Sequence, residues 1–312
     1  MNSIAVILRE PEHLALGPVE LAAPGEDDVI VDVSWSGIST GTERLLWTGR
    51  MPHFPGMGYP LVPGYESVGR VSQAARSSGL REGDMVFVPG SKGFVGVRGL
   101  FGGAASRVVL PAARAVPLSD DLGEQGVLLA LAATGYHALG QPQAPLPGLI
   151  IGHGVLGRLI ARLCVALGGE PVVWETNPAR RAGATGYSVV DPADDARKDY
   201  PVVCDVSGDS GLLDTLIGRI ARGGEVVLAG FYEKPLSFAF PPAFMREARL
   251  RVAAEWHPDD LVAVRRLIDD GRLSLDDLVT HRSAAADAAS AYRTAFTDPS
   301  CLKMVLDWSI AS

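Results

Sequence analysis

The stretch Gly148–Gly169, GLIIGHGVLGRLIARLCVALGG, decides the fold of this chain. Its first residues, GLII, are typical of a buried strand, and the turn that follows, GHGVLG, fits the pattern G-x-G-x-x-G. The next residues, RLIARLCVALG, are typical of a helix that ends on glycine. A strand, a glycine-rich turn and a helix in this order predict the first unit of a dinucleotide-binding domain.

The turn supplies the predicted contacts with the phosphates of a dinucleotide. Gly152 permits the tight turn, Gly154 lets the backbone approach a pyrophosphate, and Gly157 lets the helix pack closely against the strand. Phosphates then meet the unpaired N–H groups of the first helical turn, which begins with Val155 and Leu156. The alternative is a βαβ turn with a purely structural role.

An acidic residue, Glu175, ends the next predicted strand, VVWE. A carboxylate at this place accepts hydrogen bonds from the adenosine ribose and would repel a 2′-phosphate, so the sequence predicts NAD rather than NADP. Arg180 and Arg181 could bind a phosphate, although a solvated helix face is their more ordinary role. The ends of later strands are predicted to line the rest of the cofactor site, at Ser207, Gly208, Gly230 and Phe231.

The pattern of elements differs between the two halves of the chain. From about residue 121 to 254, strands alternate with helices, which predicts an α/β domain with a Rossmann doubly wound parallel sheet. In this domain Asn177–Gly186, NPARRAGATG, is predicted as a helix. Before about residue 120 the chain has short predicted strands between Gly- and Pro-containing turns, namely Val29–Ser34, Val68–Ser72, Met85–Val88 and Ala105–Leu110.

Composition narrows the class of protein. A chain of 312 residues can form two domains that each bury a core. The net charge of −8 argues against nucleic acid or an anionic membrane as a partner. Cys164, Cys204 and Cys301 lie far apart in apolar runs, which predicts neither disulfides nor a structural zinc. Because no secretory signal or membrane span is visible, we expect a cytoplasmic protein.

Two segments of the strand-rich half are similar to those that hold the catalytic zinc in medium-chain alcohol dehydrogenases. They are SGISTGTE (Ser36–Glu43) and PLVPGYESVGRV (Pro60–Val71), where the family patterns read roughly GIC-x-[ST]-D and GHE. Ser39, or Thr40 if one extra residue is allowed for, stands in place of the Cys ligand, and Tyr65 stands in place of the His. Neutral hydroxyls are poor zinc ligands, so we expect no catalytic metal.

The resemblance has further implications for the fold. It implies a mainly β GroES-like catalytic domain formed by residues 1–120 and 255–312, with the Rossmann domain at 121–254. It also implies that Thr134, in the segment TGY, borders the cofactor. Many members of the family pair through the edge strand of the nucleotide-binding sheet, here Gly223–Phe231 or the segment after it, which suggests a homodimer.

Without zinc, hydrogen-bonding groups must position the alcohol and remove its proton. The predicted catalytic residues are Ser39, Thr40, Tyr65 and Glu66, the last standing where the family has a supporting glutamate. With an ordinary pKa near 10, Tyr65 would need a cationic neighbour to act as a base. Four further residues could also take part in proton transfer, although each could instead have only a structural role. They are Thr42, Glu43, His53 and His137.

The segment between the two altered sites, residues 44–67, is rich in aromatic and Met side chains and has no regular period. Such a loop can pack against a large flat apolar ligand, or it can fold over the core of its own domain. The substrate-binding candidates are Trp47, Met51, His53, Phe54, Met57 and Tyr59.

This segment and the glycine-rich stretch are together similar to medium-chain members that act on bacteriochlorophyllides. The resemblance implies NAD-dependent oxidation of a hydroxyethyl group on a magnesium tetrapyrrole to acetyl, with the magnesium belonging to the pigment. Two other functions stay open. One is a zinc-free quinone or enoyl reductase, a class that usually prefers NADP, against which Glu175 counts. The other is a nucleotide-binding protein without enzymatic activity.

Overall fold

The computed structural model describes residues 1–53, 55–76, 78–141 and 143–309. The chain forms two compact units, residues 1–130 with 278–312 and residues 131–277. These boundaries differ from the predicted 120/121 and 254/255. Residues 121–130 belong to the first unit, and the helix Pro258–Asp269 belongs to the second. Its Asp260 carboxylate lies 3.0 Å from His137 Nδ1, and both residues are in that unit.

The first part of the chain is built from short strands. The predicted strands Val29–Ser34, Val68–Ser72 and Met85–Val88 are confirmed, and the strand predicted at Ala105–Leu110 begins at Arg107. A 3-10 helix, Asp120–Leu128, leads into the first long helix. The bounds are β1 Asn2–Glu10, β2 His13–Leu21, β3 Asp28–Ile38, α1 Thr42–Trp47, β4 Leu61–Val62, β5 Ser67–Gln73, β6 Met85–Val88, β7 Phe94–Val95, β8 Arg98–Gly99, β9 Arg107–Pro111, β10 Val116–Pro117 and α2 Leu129–Leu139.

The second unit contains a six-stranded sheet in which every neighbouring pair is parallel. The bounds are β11 Leu149–Ile151, α3 Val155–Ala166, β12 Val172–Trp174, β13 Ser188–Val190, β14 Tyr200–Asp205, α4 Leu213–Ile217, β15 Ile220–Leu228, α5 Phe240–Arg246, β16 Arg249–Val252 and α6 Pro258–Asp269. The strand order is β13-β12-β11-β14-β15-β16. From β11 the chain adds strands on one side as far as β13, and it then adds β14 to β16 on the other side. This is the strand order of a Rossmann fold, so the predicted doubly wound parallel sheet is confirmed.

Helix α3 lies against the centre of this sheet. Leu159, Ile160, Leu163 and Cys164 are fully buried on its inner face, where each large aliphatic side chain stabilises the fold by about 1.5–3 kcal/mol. The helix ends at Ala166, and two residues later Gly168 has a φ of 87°, the left-handed conformation that closes the last turn.

The prediction of a helix at Asn177–Gly186 is wrong. Only Pro178–Arg180 forms a single 3-10 turn. Gly183 and Gly186 have φ values of 83° and 78°, which are incompatible with a right-handed helix. In addition, three carbonyl oxygens of this segment accept hydrogen bonds from the guanidinium of Arg158. The side chain of Arg158 therefore binds carbonyl oxygens that would have accepted backbone hydrogen bonds in a helix.

The end of the chain returns to the first unit as β17 Val279–Ala284, α7 Ala288–Thr297 and β18 Lys303–Asp307. Strand β18 pairs antiparallel with β3 and parallel with β17. The first unit thus has one sheet in the order β7-β2-β1-β4-β8 and another in the order β10-β6-β5-β3-β18-β17, with β9 also paired to β3. In the described part of the chain, no helix combines the length and the apolar character that a membrane crossing requires.

Candidate active site and cofactor site

Strands β3 and β5 bring the two altered zinc segments together. They pair antiparallel with Ser36 opposite Ser67, so the residues just after β3 lie beside those just before β5. As a result, Ser39 Oγ and the Tyr65 hydroxyl oxygen are 2.6 Å apart and share a hydrogen bond. Thr40 follows in the turn before α1 and is partly exposed.

The surroundings of Tyr65 keep its hydroxyl protonated. Burial raises its pKa above the usual 10, and the Glu66 carboxylate raises it further. Hydrogen bonds with Ser39 and Thr42 act in the opposite direction but do not reverse the shift. The ring of Phe101, a residue that sequence reasoning missed, packs edge-on at 5.2 Å. The two carboxyl groups that act on Tyr65, Glu66 and Glu43, both raise its pKa, so the residue is a neutral hydrogen-bonding group near neutral pH.

Glu66 is occupied by an ion pair in the interior. Its Oε2 lies 2.6 Å from Lys303 Nζ, which also donates to the Ile38 carbonyl at 3.1 Å, and both charged side chains are fully buried. Burial raises the pKa of Glu66, while Lys303 opposes the shift. Glu66 Oε1 is buried without a hydrogen-bond partner among the described residues. Lys303 was missed from the sequence, although a lone lysine inside the apolar run LKMVLDW was an available signal.

Glu43 forms a second buried group beside the pair. Its Oε1 accepts a hydrogen bond from the Ser39 backbone N–H at 2.9 Å, and its Oε2 accepts one from the Tyr292 hydroxyl at 2.6 Å. Burial raises the pKa of Glu43 to about 7 despite these two hydrogen bonds, with a further contribution from Glu66. Glu43 therefore changes charge near neutral pH and fixes the backbone of Ser39.

This shift makes stability depend on pH. Because the folded pKa of Glu43 is raised from 4.5 to about 7, the folded state binds the proton more tightly than the unfolded state. Its contribution is fully present below pH 4.5 and is lost as the pH rises through about 7. At about 1.4 kcal/mol for each pKa unit, the loss amounts to about 3 kcal/mol.

We therefore expect Glu43→Gln to be more stable than the wild type above pH 7, since the amide is neutral at every pH. Urea unfolding of both proteins on either side of the window measures the difference in free energy of unfolding. Parallel pH profiles for the two proteins would contradict the expectation.

The predicted substrate residues lie partly in the core of the first unit. Met51 is buried in a cluster with five leucines, and Trp47, Met57 and Tyr59 pack against it while remaining partly exposed. The Tyr59 hydroxyl donates to the Leu46 carbonyl at 2.5 Å. His53 is exposed, and Phe54 lies outside the described residues. The loop therefore folds over its own core at Met51, and contact with substrate remains a prediction for the partly exposed members.

In the second unit, the glycine-rich turn has the geometry that a dinucleotide requires. Gly152 has a φ of 101°, and a Cβ at Gly157 would lie 1.9 Å from the Gly152 carbonyl oxygen. A Cβ at Gly154 would have no atom within 4 Å. The space beside Gly154 is open, and Val155 and Leu156 begin α3 with N–H groups that have no acceptor within the helix. These residues fit the pyrophosphate of a nicotinamide dinucleotide.

Glu175 lies against this turn. Its Oε2 accepts a hydrogen bond from the His153 N–H at 3.1 Å, and its Oε1 accepts one from the Asn177 N–H at 2.8 Å. Each carboxylate oxygen retains a further lone pair for a ribose hydroxyl. The Arg181 guanidinium donates to the Glu175 carbonyl at 2.8 Å and to the Asp191 carboxylate at 2.5 Å, so it is held by the protein itself.

The remaining predicted cofactor residues gather at the same edge of the sheet. A Cβ at Gly152 would lie 3.5 Å from Ser207 Cα, and one at Gly208 would lie 3.1 Å from the Phe231 carbonyl oxygen. A Cβ at Gly230 would lie 3.2 Å from the Gly208 nitrogen. The structure therefore brings these three turns together, and their contact with a cofactor stays a prediction.

Helix α2 carries Thr134, which is partly exposed, and His137. The imidazole of His137 contacts the Asp260 carboxylate at 3.0 Å, and its ring centroid lies 4.8 Å from that of His257. His137 therefore has a structural partner within the second unit.

The donor groups at the Ser39–Tyr65 pair do not match those of a zinc site. Zinc in proteins is bound by thiolate, imidazole or carboxylate, whereas this pair offers two neutral hydroxyls, and the nearby Glu66 is paired with Lys303. Over the residues that the structure describes, no group of three or more His, Cys, Asp and Glu side chains is placed to hold a metal ion.

The two glycines of the turn allow a matched test of its two roles. Gly157→Ala should lower the stability of the protein without cofactor, because its Cβ would overlap the Gly152 carbonyl. Gly154→Ala should leave that stability nearly unchanged, since its Cβ meets nothing within 4 Å, but should weaken NAD binding by about tenfold or more where the pyrophosphate approaches. Thermal unfolding and NAD titration separate the effects. Normal NAD affinity in Gly154→Ala would contradict this placement of the pyrophosphate.

Matches with known proteins cover the whole chain. The family model described as the alcohol dehydrogenase GroES-like domain matches residues 25–120. The 2-desacetyl-2-hydroxyethyl bacteriochlorophyllide A dehydrogenase of Rhodobacter capsulatus is 59% identical over 313 residues, covering 100% of both chains. The protein of the same name from Cereibacter sphaeroides is 57% identical over 314 residues, covering 99% of each.

Among solved structures, the 2R,3R-butanediol dehydrogenase of Bacillus subtilis matches with a TM-score of 0.85 and 21% identity. The match covers 98% of this chain and 100% of that one. At this identity the likeness concerns the fold alone. Together with the family model, it confirms the predicted combination of a GroES-like and a Rossmann domain.

Proposed function

Because the chain belongs to the medium-chain alcohol dehydrogenase family, and within it to the bacteriochlorophyllide dehydrogenases, we propose that it oxidises the hydroxyethyl group of a bacteriochlorophyllide to acetyl with NAD. The chain is an oxidoreductase. The observation that carries the proposed chemistry is the hydroxyl pair of Ser39 and Tyr65, 2.6 Å apart, where the resemblance implies two zinc ligands.

Oxidation of a secondary alcohol removes a hydride from carbon and a proton from oxygen. Bound NAD would supply the hydride acceptor. The proton passes from the substrate hydroxyl to the Tyr65 oxygen while Tyr65 gives its own proton to a neighbouring hydroxyl, so Tyr65 stays neutral throughout. Ser39 is buried, whereas Thr42 is partly exposed and also hydrogen-bonds Tyr65, so we assign the outward path to Thr42, which receives the Tyr65 proton and releases its own hydroxyl proton to solvent water. Ser39 holds the Tyr65 hydroxyl in place.

We propose that this reaction needs no catalytic zinc. The protonated state of Tyr65 supports the proposal, because the two adjacent neutral hydroxyls can hold an alcohol oxygen by hydrogen bonds. Glu66 contributes indirectly, since its charge raises the pKa of Tyr65.

For the pigment we propose a surface that includes the partly exposed faces of Trp47, Met57 and Tyr59. Aromatic and thioether side chains suit a flat macrocycle. The ring of Trp47 packs against the ring of Phe296, with centroids 5.5 Å apart, and this contact restricts the orientation of the Trp47 side chain.

NAD is the proposed cofactor. Glu175 is fixed beside the glycine-rich turn and would repel a 2′-phosphate, while the Arg181 guanidinium is occupied by the Glu175 carbonyl and Asp191. A titration that gives equal affinities, or tighter binding of NADP, would overturn this choice.

A homodimer is also proposed, through the edge of the parallel sheet. Strand β15 is internal and β16 is the edge, so of the two predicted segments the later one is exposed. Val252 on β16 and Phe240, Phe244 and Met245 on α5 are exposed apolar side chains. We expect Val252→Lys to reduce the mass measured by light scattering from dimer to monomer. A cytoplasmic location is proposed with it and can be tested by cell fractionation.

The function is tested by incubating the protein with hydroxyethyl bacteriochlorophyllide and NAD. We expect the long-wavelength pigment band to shift to the red as the acetyl group joins the conjugated system, with NADH appearing at the same rate. Oxidation of NADPH by quinones or enoyl substrates, with no reaction of the pigment, would favour a zinc-free reductase instead. NAD binding without turnover of any of these substrates would favour a binding protein.

A further inference from the structure

We propose that Arg158 and His153 are positioning residues that fix the loop after β12 and thereby set the choice between NAD and NADP. The inference rests on the proposed binding of NAD in the second unit and adds two residues that the dinucleotide pattern leaves unspecified. His153 is the variable residue between the first two glycines of the turn, and Arg158 directly follows the third.

Arg158 is a buried cation whose donors all point to backbone carbonyls. It is 6% exposed, and its Nε donates to the His153 carbonyl at 3.1 Å. Its two terminal nitrogens donate across to the loop, to the carbonyls of Arg180 at 3.0 Å, Ala182 at 2.8 Å and Gly183 at 3.3 Å. All four of these acceptors are backbone carbonyls, and none is a carboxylate. One planar guanidinium therefore joins the glycine-rich turn to the loop.

His153 joins the same two segments from the other side. It is fully buried, with Nδ1 2.6 Å from the Arg180 carbonyl oxygen and Nε2 2.8 Å from the Tyr187 hydroxyl. Burial lowers the pKa of this imidazole to about 4, so it is neutral under working conditions. Since a carbonyl can only accept, Nδ1 carries the proton and Nε2 accepts from Tyr187. The tautomer is thus set by the loop that the ring holds.

These contacts fix the groups that face the adenosine ribose. With the loop held, Glu175 accepts hydrogen bonds from His153 N–H and Asn177 N–H and has one position relative to the turn. The same conformation keeps Arg181 on the Glu175 carbonyl and on Asp191. Without Arg158, the carbonyls from Arg180 to Gly183 lose their buried donor. The loop would then relax, Glu175 would lose its fixed position, and Arg181 would become available to a 2′-phosphate.

Two substitutions at Arg158 separate charge from geometry. Arg158→Met keeps length and removes the charge, whereas Arg158→Lys keeps the charge but lacks the planar fork that reaches several carbonyls at once. Tyr187→Phe is a milder change that removes only the hydroxyl bound to His153. Arg246→Met is the matched control, because the Arg246 guanidinium also donates to three backbone carbonyls, but those belong to Lys198, Gly218 and Ile220.

The dissociation constants of NAD and NADP are measured by titration for the full chain and each variant, with kcat at saturating NAD as a second readout. We expect Arg158→Met and Arg158→Lys to weaken NAD binding by about 10–100-fold and NADP binding by less, so that the preference for NAD falls. Tyr187→Phe should shift the preference in the same direction by a few-fold. Arg246→Met should retain the wild-type preference, and kcat should change little in any variant.

An unchanged preference in a folded Arg158→Met would overturn the inference. If that variant does not fold, an unchanged preference in Tyr187→Phe overturns it. Wild-type behaviour of Arg158→Lys would also overturn it, because charge alone would then be sufficient. If the wild type binds NAD but does not oxidise the pigment, the proposed reaction is contradicted, whereas the inferred role of Arg158 and His153 in nucleotide preference is not. A wild type that binds neither nucleotide would overturn both.

Discussion

Replacing Tyr65 by Phe reduces kcat for pigment oxidation by about 10²–10⁴-fold, the effect expected for loss of acid–base assistance. The substitution removes only the hydroxyl that contacts Ser39 and Thr42 and keeps the ring that packs on Phe101. NAD binding should be unchanged, since Tyr65 and the glycine-rich turn belong to different units. The measurement is steady-state turnover with saturating pigment and NAD.

A matched control is Tyr200→Phe. Tyr200 is also buried and its hydroxyl also has a side-chain partner, the Asp195 carboxylate at 2.9 Å, but it lies in the parallel sheet of the second unit. Its loss should lower stability and leave kcat within about twofold, because it has no part in proton transfer. Near-normal turnover by Tyr65→Phe would move the proton-transfer role to Ser39 or Thr42.

Replacing Lys303 by Met lowers the free energy of unfolding by about 3–5 kcal/mol, the usual cost of removing one partner of a buried ion pair. Glu66 would then be buried with no counter-charge, since its Oε2 loses the ammonium at 2.6 Å and its Oε1 already has no partner among the described residues. The pKa of Glu66 would rise further. A raised folded pKa destabilises as the pH rises through it, so the loss should be greater at alkaline than at mildly acidic pH.

The control for this prediction is the double variant Lys303→Met with Glu66→Gln. It removes both charges and should recover part of the stability lost in the single variant. Urea unfolding of the wild type, the single variant and the double variant at two pH values gives the comparison. A single variant as stable as the wild type at alkaline pH would contradict a buried ionised pair.

The parts that sequence reasoning predicted depend on local patterns. Gly152 to Gly157, the strand before them and Glu175 after them lie within one βαβ unit, so spacing alone indicated the Rossmann sheet and its phosphate turn. The resemblance predicted that Ser39 and Tyr65 lie at one site. In the structure, pairing of β3 with β5 brings their hydroxyls into contact.

The parts that it missed depend on distant contacts. Lys303 meets Glu66 across a separation of 237 residues, and Tyr292 meets Glu43 across 249, so no local pattern could pair them. The loop after Glu175 was predicted as a helix from its composition, but Arg158 takes its carbonyl oxygens. Met51 was assigned to substrate by residue type, yet the leucine cluster of the first unit buries it.

The most direct measurement is a single turnover of hydroxyethyl bacteriochlorophyllide by protein that has been stripped of metal with a chelator. Pigment spectrum, NADH and bound zinc are determined in the same sample. The proposed chemistry predicts one NADH for each acetyl group formed, with zinc far below one per chain and with no gain on adding zinc. Loss of turnover on stripping, restored by one zinc per chain, would contradict it.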